Sequence, residues 1–278
     1  MNTERHRMNR RDFIRAGAVA ALAGPMLARA AEADPFKGLK VGVHSYSLRS
    51  FPLDKAIELT RELGVKFFSV NPVHIPLKST PEQLAEARKK IADAGLTLLE
   101  AGVIGINKEM PGARAAFEYA KALGLKNIVA KVSLDAFDTI DALLKEFDVR
   151  VAIHNHGPSD TYKVPQDILN ALKGHDPKIG ACVDIGHYER AGAKGADSLR
   201  QLKGHIFDVH FKDVSKAEDS GQPVVVGTGV IDIPAVFQTL LDMKYPDGVM
   251  LEYEADAKNP MPGMRKSFEY VRSVLAKM

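Results

Sequence analysis

A single cysteine, no tryptophan and no membrane-length apolar run in a 278-residue chain remove several classes of protein at once. Cys182 has no partner in its own chain, so an intramolecular disulfide is impossible and stability has to come from a packed core. No stripe of Lys and Arg marks a nucleic-acid surface. The net charge of +3 is itself misleading, because the first 30 residues hold six arginines against Glu4 and Asp12 and leave the rest close to neutral. Nucleic acid is therefore not an expected partner. Phosphate-cradling glycines are missing too. After the first apolar run stands Val43-His44-Ser45-Tyr46-Ser47-Leu48-Arg49, not G-x-G-x-x-G, and no Gly-rich loop ends in Lys-Ser/Thr. What is present is 45% hydrophobic and 26% charged residues, an ordinary composition for one large core.

The N-terminus reads as an address. Asn9-Arg10-Arg11-Asp12-Phe13-Ile14-Arg15 resembles the twin-arginine export motif, an apolar stretch over 16–28 follows, and Ala28-Arg29-Ala30 or Ala31-Glu32-Ala33 offers a small-residue cleavage site. The stretch is too short to span a membrane. The expected organisation is a signal peptide over 1–30 and one folded domain over 31–278, about 248 residues, close to the usual size of a (β/α)8 barrel. The resemblance implies passage through the twin-arginine translocase, a periplasmic or secreted location and no membrane attachment after cleavage. Export in folded form would also let a metal be inserted beforehand.

From residue 39 onward, short β-branched runs alternate with longer amphipathic ones. Strands are predicted over 39–45, 65–70, 96–103, 127–132, 149–154, 178–184, 205–211 and 248–253. Helices are predicted over 53–63, 81–94, 112–123, 136–147, 165–172, 196–202, 233–243 and 263–275. The strands are near-continuous apolar segments, as expected where both faces are covered. Three helices run into a capping glycine, at Gly64, Gly95 and Gly124, and two open on a proline, Pro81 and Pro165. Eight such units in strict alternation predict an α/β protein, a single closed (β/α)8 TIM barrel with its active site at the C-terminal ends of the strands. The longest connection, 213–232, contains Gly227-Thr228-Gly229 and is expected to form a loop at the active-site mouth.

Four strand ends carry the chemistry: His154 in V-A-I-H-N-H-G-P, Asp184 in C-V-D-I-G-H, His210 in D-V-H-F-K-D and Glu252 in V-M-L-E-Y-E. Strand alternation puts His154 and His156 on one side with Asn155 opposite, groups Asp208, His210 and Lys212, and pairs Glu252 with Glu254. Each alone has an ordinary explanation, a hydrogen-bonded histidine or half of an ion pair. Together, at successive strand ends, buried carboxylates need a partner, and one divalent metal ion supplies it. Two imidazoles and two carboxylates suit Mn²⁺, Co²⁺, Fe²⁺ or Zn²⁺ better than Ca²⁺. Further polar residues near strand ends are candidates for holding substrate hydroxyls: His44, Tyr46, Asn71, His74, Lys131 and Glu254. Lys131 has Asp135 as an alternative partner, and Asp213 is expected to anchor Lys212 or His187.

At G-V-H-S-Y-S-L-R, C-V-D-I-G-H, D-V-H-F-K-D-V and D-G-V-M-L-E-Y-E the chain resembles the xylose-isomerase-like TIM-barrel superfamily, over nearly all of its length after the leader. Keto-sugar epimerases of that superfamily hold one metal through Glu, Asp, His and Glu. Asp184, His210 and Glu252 match three of those positions, while His154 stands where the fourth should be Glu. The resemblance implies a metal that polarises a sugar carbonyl and stabilises an enediolate. Glu252 would be the base, and His156, His187 or Lys212 the second proton-transfer group. One strong base rather than a symmetric carboxylate pair favours isomerisation, or elimination of a β-leaving group, over inversion at carbon. The leading expectation is an isomerase or epimerase-like enzyme on an unphosphorylated sugar or glycoside. The I-H-N-H-G-P form also resembles secreted members that break down 3-keto-glycosides by 1,2-elimination, so a lyase or the matching hydratase is the alternative. A barrel that binds sugar without catalysis is the third. Endonuclease activity is the poorest match, since three zinc ions need more ligands than the sequence offers.

Overall fold

The short apolar runs become strands because each can bury one face in the barrel interior and the other beneath the amphipathic helix that follows. The computed structural model describes residues 34–278, so the twin-arginine-like segment and both cleavage sites lie outside the described residues. The strands are β1 (Lys40–His44), β2 (Phe67–Val70), β3 (Thr97–Ile106), β4 (Asn127–Val132), β5 (Arg150–His154), β6 (Ile179–Asp184), β7 (Ile206–Phe211), a short antiparallel pair β8 (Asp213–Val214) and β9 (Pro223–Val224), and β10 (Gly248–Leu251). β1 to β7 and β10 pair in parallel in the order β1-β10-β7-β6-β5-β4-β3-β2, and β2 returns to β1 to close the barrel. The predicted (β/α)8 TIM barrel is thus the observed fold.

The helices are α1 (Leu53–Glu62), α2 (Pro81–Asp93), α3 (Met110–Leu123), α4 (Phe137–Leu144), α5 (Pro165–Ala171), α6 (Ile185–Arg190), α7 (Gly195–Gln201), α8 (Ile233–Asp242) and α9 (Met261–Leu275). Their ends follow the local signals. Thr80 caps α2 reciprocally with Gln83 while Pro81 occupies the first turn. Gly124 takes φ 71° to stop α3, and Gly64 and Gly95 do the same work after α1 and α2. Strand alternation divides β7 between two environments. Phe211 turns outward and packs edge-on against Phe237 of α8 and Phe268 of α9, with ring centroids 5.5 and 6.3 Å apart, while His210 turns inward. Ala152 and Cys182 belong to a small separate apolar group and lie, by the same parity, one layer beneath His154 and Asp184.

Several boundaries differ from the sequence reading. β3 runs to Ile106, past the expected 103, through a register shift between Ala101 and Ile104. β10 stops at Leu251, although the Glu252 N–H still donates to Phe211 O at 3.1 Å. A 3₁₀ turn (Ser45–Leu48) follows β1, and α6 begins directly after Asp184 where a loop was expected. Both are too short to present a helical period. The 213–232 connection holds the β8–β9 hairpin, whose two-residue strands carry no alternation to read.

At Gly42 of β1 a Cβ would sit 2.2 Å from Phe67 O, whereas at Gly105 of β3 it would meet nothing within 4 Å. Gly42→Ala is therefore expected to destabilise the protein by about 1–3 kcal/mol or more, because backbone must move. Gly105→Ala should stay within about 0.5 kcal/mol of wild type. Urea unfolding of the two variants checks both values.

Candidate active site

Asp184 is held by one carboxylate oxygen and by both of its backbone polar groups. It ends β6 and caps α6, its Oδ1 accepting the His187 N–H at 2.8 Å. Its backbone is clamped by Asn155, whose Oδ1 accepts the Asp184 N–H and whose Nδ2 donates to the Asp184 carbonyl, both at 2.9 Å. The expected parity of β5 explains this arrangement: Asn155 faces β6 while His154 and His156 face the other way, their rings 4.4 Å apart. Asp184 Oδ2 is left pointing into the barrel, where the Lys212 ammonium lies 3.0 Å away.

Around that oxygen the four expected residues converge. His154 Nε2 lies 3.6 Å from Asp184 Oδ2 and 3.1 Å from His210 Nδ1, and His210 Nδ1 lies 3.5 Å from Glu252 Oε2. One ligand atom from each of His154, Asp184, His210 and Glu252 falls within 4.8 Å of every other, and all four residues are buried. Metal bonds of about 2.0–2.2 Å at tetrahedral angles separate ligand atoms by roughly 3.3–3.6 Å, so the spacing fits a divalent ion. Two nitrogen and two oxygen donors suit Mn²⁺, Fe²⁺, Co²⁺ or Zn²⁺.

The surrounding groups fix the charge states. His210 Nε2 lies 3.1 Å from Asp208 Oδ2, which also accepts from the Cys182 thiol at 3.1 Å. Burial works against charge on His210, but the Glu252 and Asp208 carboxylates outweigh it and hold the imidazole well above its ordinary range. The Cys182 thiol is pushed well above the thiol range by burial and stays neutral. Lys212 Nζ contacts Asp184 Oδ2 at 3.0 Å, Glu252 Oε2 at 2.7 Å and Glu254 Oε2 at 2.6 Å. Burial disfavours its charge, yet those carboxylates keep the ammonium protonated far beyond the usual lysine range. Burial would raise the carboxyls of Asp184 and Glu252, but Lys212 and the imidazoles beside them hold both below the carboxylate range. Three imidazoles go the other way: burial lowers His154, and with His154 as neighbour it takes His156 to about 4. Burial also takes His187 to about 2.

The other expected contacts are placed less uniformly. Glu254 joins the cluster through Lys212. His44 is fully buried behind Glu252, its Nδ1 3.0 Å from Glu252 Oε1 and its Nε2 2.9 Å from the Gly102 carbonyl, so it braces a ligand from the side away from solvent. Tyr46 lies under the Arg49 guanidinium, and His74 bonds the Ser45 hydroxyl at 3.0 Å. Asn71 caps its own turn, its Oδ1 accepting the Val73 N–H. Lys131 is exposed and lies 4.0 Å from Asp160, not beside Asp135, which pairs with Lys108. Asp213 does not anchor Lys212 or His187. Its buried carboxylate accepts backbone N–H groups of Val214, Gly227, Gly229 and Ile231 and so folds the long connection onto β7. Two residues were missed. Asp160 accepts the His156 N–H and lies 3.5 Å from its Nδ1, and Arg190 contacts His187 Nδ1 at 2.5 Å. Asp160 follows His156 by four residues in a turn, a spacing with no period to mark it.

A closed parallel barrel with a buried imidazole–carboxylate cluster at its C-terminal strand ends defines a class of protein with polar chemistry over a rigid base. Within that class the chain belongs to the xylose isomerase-like TIM barrel family, which matches residues 27–274. It is 24% identical over 151 residues to an inosose dehydratase of Mesomycoplasma hyopneumoniae (strain 7448), 48% of this chain and 50% of that protein, so the match spans about half of that relative's length. An inosose dehydratase of Bacillus thuringiensis (strain Al Hakam) is 24% identical over 264 residues, covering 85% of each chain. A solved structure of a D-tagatose 3-epimerase-like protein superposes with a TM-score of 0.70 at 18% identity, over 86% of this chain and 98% of the other, a likeness of fold.

His154, His156 and His187 remain uncharged in the folded protein at pH values where the unfolded chain, with imidazoles at 6.5, takes up protons. Their contribution to stability is therefore present above 6.5 and is lost as pH falls toward the folded values of about 4 and 2. His210 has the opposite sign, its contribution being lost as pH rises past its folded value. The Tm of metal-free protein is expected to drop between pH 6.5 and 4. His187→Gln should remove up to about 1.4 kcal/mol per pH unit from that slope. A Tm that is flat over this interval, or a slope unaltered by the substitution, contradicts these assignments.

Proposed function

We propose that this protein is a divalent-metal-dependent enzyme that removes a proton next to the carbonyl of an unphosphorylated sugar or glycoside and expels a β-leaving group. The carrying observation is the convergence of His154, Asp184, His210 and Glu252 beside one partly exposed, uncharged imidazole, His156. Bound by the four side chains, a divalent ion would polarise the substrate carbonyl and make the adjacent C–H acidic.

His156 is the best placed proton acceptor. Its side chain is 35% exposed, against 7% for Glu252 and 12% for His187, so an entering sugar meets it first. Its low pKa of about 4 leaves it unprotonated at neutral pH, with Asp160 beside Nδ1 to orient the ring. Glu252 is tied to Lys212, His44 and His210 and is better suited to ligation than to accepting a proton, although the family resemblance implied the base there. Lys212 keeps its proton and supplies positive charge beneath the reacting oxygens. One basic group on one face suits elimination better than inversion, and the dehydratase named among the relatives supports the same reaction type. Isomerisation by the same first step is the second reading, favoured by the partly buried His187, which offers a neighbouring site for returning the proton. The twin-arginine-like leader adds a periplasmic or secreted location to the proposal, with carbohydrate available outside the cytoplasm as substrate.

Protein purified without chelator should contain about one divalent ion per chain, and His154→Ala or Asp184→Asn should lower its affinity at least 10-fold. Absence of tightly bound ion from wild type after exposure to Mn²⁺, Co²⁺, Zn²⁺ and Fe²⁺ would sink the metal reading. For the reaction, a 3-keto-glucoside should release its aglycone with an enone chromophore. His156→Gln should lower kcat by about 10²–10⁴-fold while metal content is unchanged. Deuterium uptake from solvent without cleavage would instead select isomerisation, and unaltered kcat in His156→Gln would remove His156 from the mechanism.

A further inference from the structure

Lys212 acts on the same oxygens that a bound ion would use. Its Nζ lies 3.0 Å from Asp184 Oδ2 and 2.7 Å from Glu252 Oε2. Those two atoms are also the ones that face the imidazoles, Asp184 Oδ2 at 3.6 Å from His154 Nε2 and Glu252 Oε2 at 3.5 Å from His210 Nδ1. An ion among the four side chains and the ammonium would therefore share both carboxylate oxygens, and positive charges a few ångströms apart repel. The lysine stem packs closely against Gly186, where an added Cβ would collide with Lys212 Cγ. On its outer side, Glu254 offers a third carboxylate at 2.6 Å, with a side chain 26% exposed toward the barrel mouth.

From this geometry we propose that Lys212 sets the affinity and selectivity of the centre as an internal competing cation. It holds the two ligand carboxylates in place in the metal-free protein and weakens their grip on an incoming ion, while Glu254 draws the ammonium outward when an ion binds. The inference rests on reading the four side chains as a divalent-metal centre and assigns a task to a residue outside that set. Because the competition falls on oxygen donors and spares the imidazoles, it penalises oxygen-seeking Mn²⁺ more than Zn²⁺, which binds well through nitrogen. A lysine with a merely structural role predicts the reverse on removal, namely disordered carboxylates and weaker binding.

The test is calorimetric titration of Mn²⁺ and Zn²⁺ into chelator-stripped full-length protein, with Tm measured in parallel. Lys212→Met is expected to lower the metal-free Tm yet tighten Mn²⁺ binding at least about tenfold, and to tighten Zn²⁺ less. Lys212→Gln should act in the same direction. Glu254→Gln should loosen Mn²⁺ binding in wild type and have little effect in the Lys212→Met background, the non-additivity that marks action through the lysine. Unchanged or weaker Mn²⁺ binding in the lysine variants overturns the proposal. If neither lysine variant folds, unchanged affinity in Glu254→Gln overturns it. Binding by Lys212→Met but not by wild type would support the competing cation and refute metal dependence of the native enzyme. Binding by neither refutes both.

Discussion

One buried ammonium makes the rest of this site possible. Asp184 and Glu252 project from adjacent regions of the barrel mouth into a space that excludes water, where an uncompensated carboxylate costs several kcal/mol. Lys212 touches both, and Glu254 besides. In the metal-free protein that charge offsets the repulsion between the two carboxylates, whose oxygens face the imidazoles opposite. The polar cluster is therefore a charge-balanced set, in which the ammonium offsets the carboxylates it touches.

The barrel supplies the rigidity that such a set needs. Asn155 locks the backbone of Asp184 across the β5–β6 gap, Asp184 spends one oxygen on capping α6, and His44 braces Glu252 from behind. His210 is oriented by Asp208 one layer lower, which also accepts a hydrogen bond from the Cys182 thiol. Above this layer the groups are more exposed. His156 and Asp160 stand on the connection that follows β5, and His187 and Arg190 on α6.

Asp213 illustrates how a residue beside the chemistry can serve the fold alone. Its carboxylate gathers four backbone N–H groups, from Val214, Gly227, Gly229 and Ile231, and fastens the long connection after β7. A Cβ on Gly229 would lie 2.3 Å from Asp213 Oδ1, so only glycine lets the loop approach this closely. The Gly227-Thr228-Gly229 segment, read from the sequence as a mouth loop, is in this sense the lid on Asp213.

The sequence by itself determined the barrel and the four converging side chains. Eight apolar runs in alternation with amphipathic helices leave few other ways to bury both faces of a parallel sheet. A period of two then dictates that His154 and His156, or Asp208 and His210, share a side. Only the tertiary structure decided which neighbours these residues acquire: His44 behind Glu252, Lys212 between two carboxylates, Asp160 against His156 and Asp213 among loop amides. Those contacts join segments up to 208 residues apart in the chain, as His44 and Glu252 are. Periodicity carries information along one element, whereas the partner across the barrel depends on register and on how closely two backbones approach.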